Sequence, residues 1–548
     1  MSAAIPRAQT ADQQVTHALN RLAFGPRPGD VEAVRRMGLD AWIDRQLHPE
    51  RIDDTALDQF LAATYHVLGD SPAELERRYP PPGQLINRAG ARNGLSHDDS
   101  VQLRESQMGI RQMSAEVQGA RVARAVLTER QLLEVMTDFW LNHFTVYDAK
   151  GPRERYMLAD YENRVIRPNA LGKFRTLLGS VAKSEAMLFY LDNWESQADS
   201  TRPRLAPMPG RGGRRGGGFL RGGMPTILPA MGAQPPAQLP AQIRKGGLNE
   251  NYGRELLELH TLGVDGGYTQ ADVINAARAL TGWTFKGPQQ GGGFQFVPFM
   301  HDAGEKVVLG HTLKAGRGIE DGEDLLDIVA RHPSTAHYIA FKLARRFVSD
   351  SPSTALVDRA AATFTRTGGD IRETLRTIIM SPEFFSRAAY RSKVKSPFEV
   401  VVSAARALGA HGDATPRTAQ LVAQLGEPIY GHQAPNGWPE TGDQWMNTGA
   451  ILNRINFGML MAAGRVPGAS PFGFEGAAEL RSAPVNQQVD GVVAHLLGGD
   501  VSPEMRAVLV SGSNPLSRSS PAGDPRPQLK GLPLIVGLAL GSPEFQRR

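Results

Sequence analysis

The 548-residue sequence contains no cysteine. That absence removes disulfide frameworks, thiolate-bound zinc, iron–sulfur clusters and cysteine nucleophiles, leaving His, Asp, Glu, Ser and Tyr to carry any chemistry. Long hydrophobic runs are missing as well. The greasiest stretch, Leu532 to Leu540, is interrupted by Pro533 and Gly537 and falls far short of the ~20 residues a membrane span requires. The start, Met1-Ser2-Ala3-Ala4-Ile5-Pro6-Arg7, shows neither an apolar signal core nor a twin-arginine pair, so the chain as given is not marked for export and a soluble protein is expected. Also absent are a Gly-x-Ser-x-Gly elbow, a phosphate-binding P-loop and a His-Glu-x-x-His pair, which excludes the commonest local signatures of hydrolases, NTPases and metalloproteases.

Hydrophobic residues make up 41% of the chain and glycine adds 59 residues, a composition that permits a substantial core. The sequence is basic overall, yet the charge is unevenly spread. Between Asp199 and Gly247 eight basic residues face one acid, a net of +7, and subtracting that from the chain's +5 leaves −2 for everything else. The surplus therefore resides in a Gly/Pro/Arg-rich stretch that cannot bury enough surface to fold alone, and no specific nucleic-acid binding is expected.

Helical periodicity dominates elsewhere. Segments 12–23, 28–37 and 39–47 read as short amphipathic helices, followed by 101–106, 115–127, 131–147, 153–166 and 174–180. Beyond the basic stretch come a helix around Glu255 and one over 269–281, where Thr269 with Asp272 forms a capping-box start. Residues 293–310 alternate Phe294, Phe296 and Phe299, then Val307, Val308 and Leu309, the best place for one small β-hairpin. Helices resume over 322–331, 334–347, 354–367, 371–380, 396–408 and 449–463. Ser381-Pro382-Glu383-Phe384 ends a helix in mid-chain and Ser542-Pro543-Glu544-Phe545 ends the sequence; Ser-Pro-Glu favours a helix start, with Ser as N-cap and Pro at N1, so convergent capping explains the echo without a repeat. The expectation is a mainly α protein: one large multi-helix domain in two parts, 1–198 and 248–548, divided by a disordered insertion over 199–247.

Two helices carry polar residues where their faces should be greasy. At 100° per residue Leu248, Tyr252, Leu256, Leu259 and Leu262 share one arc, and Glu255 falls inside it. Glu258 and Asn251 flank the arc on one side, Asn249 and His260 on the other, and Arg254 points away. In the 131–147 helix, His143 sits at the centre of an arc built from Leu132, Leu133, Val135, Met136, Phe139, Trp140 and Phe144, with Asn142 at its edge. An unpaired buried carboxylate costs several kcal/mol, so Glu255 requires a partner, a proton or a metal.

These segments carry a resemblance. The elements His17-Ala18-Leu19-Asn20-Arg21-Leu22-Ala23-Phe24-Gly25-Pro26 and Phe139-Trp140-Leu141-Asn142-His143-Phe144, the run Asn249 to Gly263, Arg278-Ala279-Leu280-Thr281-Gly282-Trp283, His301-Asp302 with Gly304 and Lys306, and Pro435-Asn436-Gly437-Trp438-Pro439 with Trp445 are similar to the bacterial family known as domain of unknown function 1800. The resemblance covers nearly the whole chain outside the insertion. It implies a largely helical protein of a kind usually exported, commonly encoded beside a sulfatase-like domain of unknown function 1501 protein. The chain departs from the family pattern in lacking a leader and in placing His260 where an aromatic is expected.

Three polar groups recur among these elements: His143 with Asn142, Glu255 with Glu258, and His301 with Asp302. Glu255 and Glu258 are spaced i,i+3, so their carboxylates can converge on one helix face. Joined by His143, His301 and Asp302 they would supply the nitrogen and oxygen ligands that zinc, manganese or iron accept. Without a metal, Glu255, Glu258, His143 and Asp302 could perform acid–base hydrolysis, as glycan cleavage by two carboxylates requires. Asn142, Arg254, Trp438 and Trp445 are the candidate substrate contacts, the tryptophans by stacking on a sugar ring. The bland reading pairs Glu258 with Arg254, matches Glu255 to a buried base and satisfies His143 with a backbone carbonyl. Two functions follow: a hydrolase of an extracellular polymer such as a glycan, or a non-catalytic assembly partner of the sulfatase-like neighbour.

Overall fold

The computed structural model describes residues 8–90, 96–206, 247–410, 417–513 and 529–548. The protein is mainly α, 61% helical, as the periodicity predicts. Helix starts follow side-chain capping: Thr10, Ser71, Ser96, Thr269 and Ser396 each form a capping box with the residue three positions on. One cluster of buried hydrophobics runs from Val15 to Phe545 and joins both sides of the insertion. Among the described residues no helix is long and apolar enough to cross a membrane.

The first difference from expectation is a single helix, His97–Leu127, where a break was expected between 106 and 115. Gly109 at its middle disfavours the helix by about 1 kcal/mol relative to alanine. The lack of a side chain is used, however, because a Cβ there would lie 2.3 Å from Cδ1 of Tyr79, whose ring fills the space.

The second difference is in the sheet. Phe294–Phe296 pairs antiparallel with the upstream strand Trp283–Phe285, while Lys306–Val308 pairs with His311–Leu313. The expected hairpin region thus contributes to two hairpins. Leu309 and Gly310, at φ 49° and 79°, form the two-residue turn of the second. Each Ser-Pro-Glu-Phe motif follows the end of a helix, Ile371–Ile379 or Leu532–Leu540, as the sequence suggests for the first. Each Ser hydroxyl accepts one N–H, from Phe384 or Phe545, at 3.2 Å and caps a turn that follows a finished helix.

The third difference bears on the site. The Glu255 helix is α-helical over Glu250–Glu255 and then widens into π-helical turns over Leu256–Leu262. Thr261 Oγ1 donates to the Leu256 carbonyl at 2.6 Å, five residues back. Wider turns change which residues face inward. Tyr252, Leu256 and His260 are buried, Leu259 is only half-buried, and Glu255 and Glu258 lie half-exposed at the edge.

Of the insertion expected over 199–247, residues 207–246 lie outside the described residues. Its first edge is held by Arg204, which donates to the carbonyls of Ala198 and Phe299 at 2.7 and 2.9 Å. At the other end of the chain Leu532–Leu540 is apolar on every side and accordingly buried. It packs on Thr448–Ala462, where a Cβ on Gly458 would meet the Gly537 carbonyl at 2.7 Å. The last residues then return as a β-bridge, with Arg548 N–H donating to the Lys393 carbonyl at 2.8 Å.

Candidate functional site

The Gln131–His143 helix carries Asp138 and Asn142 one turn apart on one face. Asn142 pairs with the backbone of Trp438: Trp438 N–H donates to Oδ1 at 2.6 Å and Nδ2 donates to the Trp438 carbonyl at 3.0 Å. Gly437, at φ +73°, makes that approach possible, since a Cβ there would come within 2.3 Å of the Asn142 carbonyl oxygen. Gly437→Ala is therefore expected to lose about 1–3 kcal/mol from backbone strain alone and to displace Trp438. Denaturant unfolding and tryptophan fluorescence check both, and an unchanged spectrum with unchanged stability would contradict this placement.

Trp438 and Trp445 are half-buried with ring centroids 6.1 Å apart, and the His432 ring lies 4.6 Å from Trp438. The Trp445 indole N–H donates to the Pro439 carbonyl at 3.0 Å, which fixes its orientation. Opposite this wall the capping box of Ser396 and Glu399 opens the helix Pro397–Ala407. Glu399 accepts from Arg346 and, at 3.1 Å, faces Nε of Arg548. Glu427 accepts from the N–H of Phe398 at 2.8 Å. Asp138 is paired through Oδ1 with Arg121 at 2.6 Å and more loosely through Oδ2 with Arg346 at 3.5 Å. Tyr430, at φ +58°, donates to Glu162 and turns its ring beneath the Arg121 guanidinium. Trp438, Trp445, Asn142, Asp138, Glu399, Glu427, Tyr430, Arg121, Arg346 and Arg548 line a partly enclosed cavity of about 80 Å³.

The carboxyls in this cavity are held in different states. Burial raises Glu427, the neighbouring Asp138 charge raises it further, and its carboxyl is pushed up to about 7. Burial alone would raise Glu399 as well, but Arg346, Arg548 and the Ser396 N–H outweigh it and hold that carboxyl down at about 2. Arg548 is itself lowered to about 10 by burial and then by Arg346.

Among the residues singled out from the sequence, Asn142, Trp438 and Trp445 meet in this cavity. Arg254 lies elsewhere, half-exposed, donating to Gln270 at 3.0 Å with Glu250 at 3.7 Å. Glu258 accepts the Tyr268 hydroxyl at 2.8 Å. Glu255 is raised by burial and then by Glu258. His143 is buried with its Nε2 3.1 Å from the His260 carbonyl, a contact that requires the proton on Nε2. Burial and then the Lys342 charge depress it well below the ordinary imidazole range, so it is neutral. Lys342 in turn pairs at 2.9 Å with Glu440, on the rim of the cavity.

His301 and Asp302 belong to a separate ionic knot. Arg278 grips Asp302 through two bonds of 2.7 and 3.2 Å, Lys306 donates to Asp321 at 2.7 Å, and His301 Nδ1 donates to the Thr281 carbonyl at 2.8 Å. Among the described residues no group of three or more His, Asp or Glu is placed to hold a metal ion. The structure therefore does not bring His143, Glu255, Glu258, His301 and Asp302 together as one ligand set. Sequence reasoning missed Asp138, Glu399 and Glu427, which come from three distant segments. Local signals could have drawn attention to two of them: Asp138 precedes Asn142 by one helical turn, and Glu399 completes the Ser396 capping box.

A large helical protein with a carboxyl–arginine cavity under a tryptophan wall is thus the class defined by fold and site. The chain belongs to the family described as protein of unknown function DUF1800, whose model matches residues 17–547. No curated protein and no solved structure matches it significantly.

Proposed function

We propose that the Asp138–Glu427 cavity is an acid–base centre that hydrolyses a polymer such as a glycan. The observation that carries this reading is that one cavity holds Asp138 beside Glu427, whose carboxyl burial and the Asp138 charge push up to about 7. Environments that push paired carboxyls apart are how one site provides an acid and a base at the same pH. Glu427 would protonate the leaving oxygen. Asp138 would activate water through Oδ2, the oxygen its arginines hold less tightly. Trp438 and Trp445 offer half-exposed ring faces, the surface on which a sugar stacks, and Asn142 holds the Trp438 backbone in place.

The cavity of about 80 Å³ is smaller than a pocket that swallows a whole ligand, so a chain would lie across its mouth with one linkage inside.

The test is reducing-end release from a panel of polysaccharides over a pH series. An acid that must carry its proton gives a rate that falls as pH rises through about 7. Rates that climb through that region contradict the assignment of Glu427 as acid. Failure to cleave any polymer, with stable co-purification of a sulfatase-like partner, would favour the assembly reading instead.

A further inference from the structure

A second cavity, of about 50 Å³, is lined in part by Asn20, Gly25, Lys395, Ser403, His495 and Phe545. Lys395 lies just before the N-cap of the helix Pro397–Ala407 and Ser403 lies two turns into it, so the lysine side chain folds back along the helix. Its Nζ is 3.2 Å from Ser403 Oγ, and the two residues are only 4% and 2% exposed. The Phe545 ring centroid sits 4.1 Å from Nζ. Among the described residues no carboxylate lies within ion-pair distance of Lys395. A buried ammonium without a counter-ion is the costly form of this group.

Burial is the largest influence on Lys395. Glu399 opposes it, Arg391, Arg548 and Arg454 add to it, and the amine is lowered to about 7. A neutral amine at this position has a lone pair facing the hydroxyl. Ser403 Oγ lies 3.2 Å from the Val400 carbonyl as well as from Nζ, so its proton can turn to either acceptor. Gly25 packs directly against the serine and forms part of the cavity wall: a Cβ there would stand 3.3 Å from Ser403 Cβ, and its φ of +90° disfavours any side chain. Serine activated by an adjacent lysine is an established variant of nucleophile and base.

We propose that Ser403 and Lys395 form a nucleophile–base pair that takes a short acyl group, of acetyl size, from an ester. Ser403 Oγ attacks the carbonyl carbon as its proton passes to Nζ. Collapse of the tetrahedral adduct breaks the acyl C–O bond, and the alcohol leaves with the proton from the Lys395 ammonium. Water, deprotonated by the same amine, then releases the acid and restores the serine. The small cavity sets the limit on the acyl chain.

The test uses the full chain with p-nitrophenyl acetate, acid quenching and peptide mapping. Either acetyl-Ser403 accumulates, or steady p-nitrophenolate release is present and disappears in Ser403→Ala; in both cases the rate rises through about pH 7 as the amine loses its proton. Lys395→Met should slow the reaction by about 10²-fold or more, the usual contribution of a general base. Lys395→Arg, which keeps the cation but cannot surrender the proton, should be equally slow, and the melting temperature of each variant separates a lost base from a lost fold. Wild-type protein with neither acetyl-Ser403 nor serine-dependent turnover overturns the proposal, as does a rate independent of pH across this range.

Discussion

Glu399→Ala is expected to destabilise the protein by about 3–5 kcal/mol, the usual cost of removing one partner from a buried ion pair. The carboxylate is 4% exposed and meets two cations, Arg346 from the helix Pro333–Phe347 and Arg548 from the last residues. Alanine leaves Arg346 only the 3.5 Å contact with Asp138 and leaves Arg548 without its carboxylate. The capping bond to the Ser396 N–H, 3.0 Å in the native protein, goes as well. The sign of the pH dependence follows from the depressed carboxyl. Stability from Glu399 is fully present above the unfolded value of about 4.5 and is lost as pH falls from there toward 2. Urea unfolding at neutral and acid pH measures both. A cost below about 1 kcal/mol, typical of an exposed pair, would show that this wall of the cavity is not held as described.

Glu427→Gln is expected to lower turnover by about 10²- to 10⁴-fold while the fold persists. Glutamine retains an oxygen to accept the Phe398 N–H, so the local backbone has no reason to move. It cannot deliver a proton. Because the folded carboxyl is raised above its unfolded value, ionising it in place weakens the wild-type fold as pH rises from about 4.5 to about 7. The variant escapes that penalty. Its melting temperature should equal the wild-type value at low pH and exceed it above about pH 7. A variant that melts early and keeps its specific activity would assign Glu427 to structure alone.

Much of the fold was readable from local chemistry. The Thr269 capping box appears as expected, with Thr269 Oγ1 accepting from Asp272 N–H at 3.3 Å and Asp272 accepting from Thr269 N–H at 2.8 Å. Periodicity failed where tertiary contacts overrode it. The break expected between 106 and 115 does not form, since Gly109 in that gap packs against the Tyr79 ring within one helix, and the π-helical turns after Glu255 cannot be read from a wheel that assumes one pitch. That change of pitch is why His260 rather than Leu259 is buried.

The candidate site was legible only in its oddities. Asn142, Trp438 and Trp445 stood out because polar and aromatic residues occupied unusual settings. The pairing of Asn142 with Trp438, 296 residues apart, had no local trace. The acids were hidden for the same reason. Asp138, Glu399 and Glu427 each look like ordinary helix or loop carboxylates until folding sets them among Arg121, Arg346 and Arg548.

Glu427 retaining its proton near neutrality is directly visible to difference infrared spectroscopy of wild type against Glu427→Gln, which needs no substrate. A protonated carboxyl band, present only in the wild type, is expected to disappear with a midpoint near pH 7. A carboxyl already ionised by about pH 5, close to its ordinary value of 4.5, would contradict it.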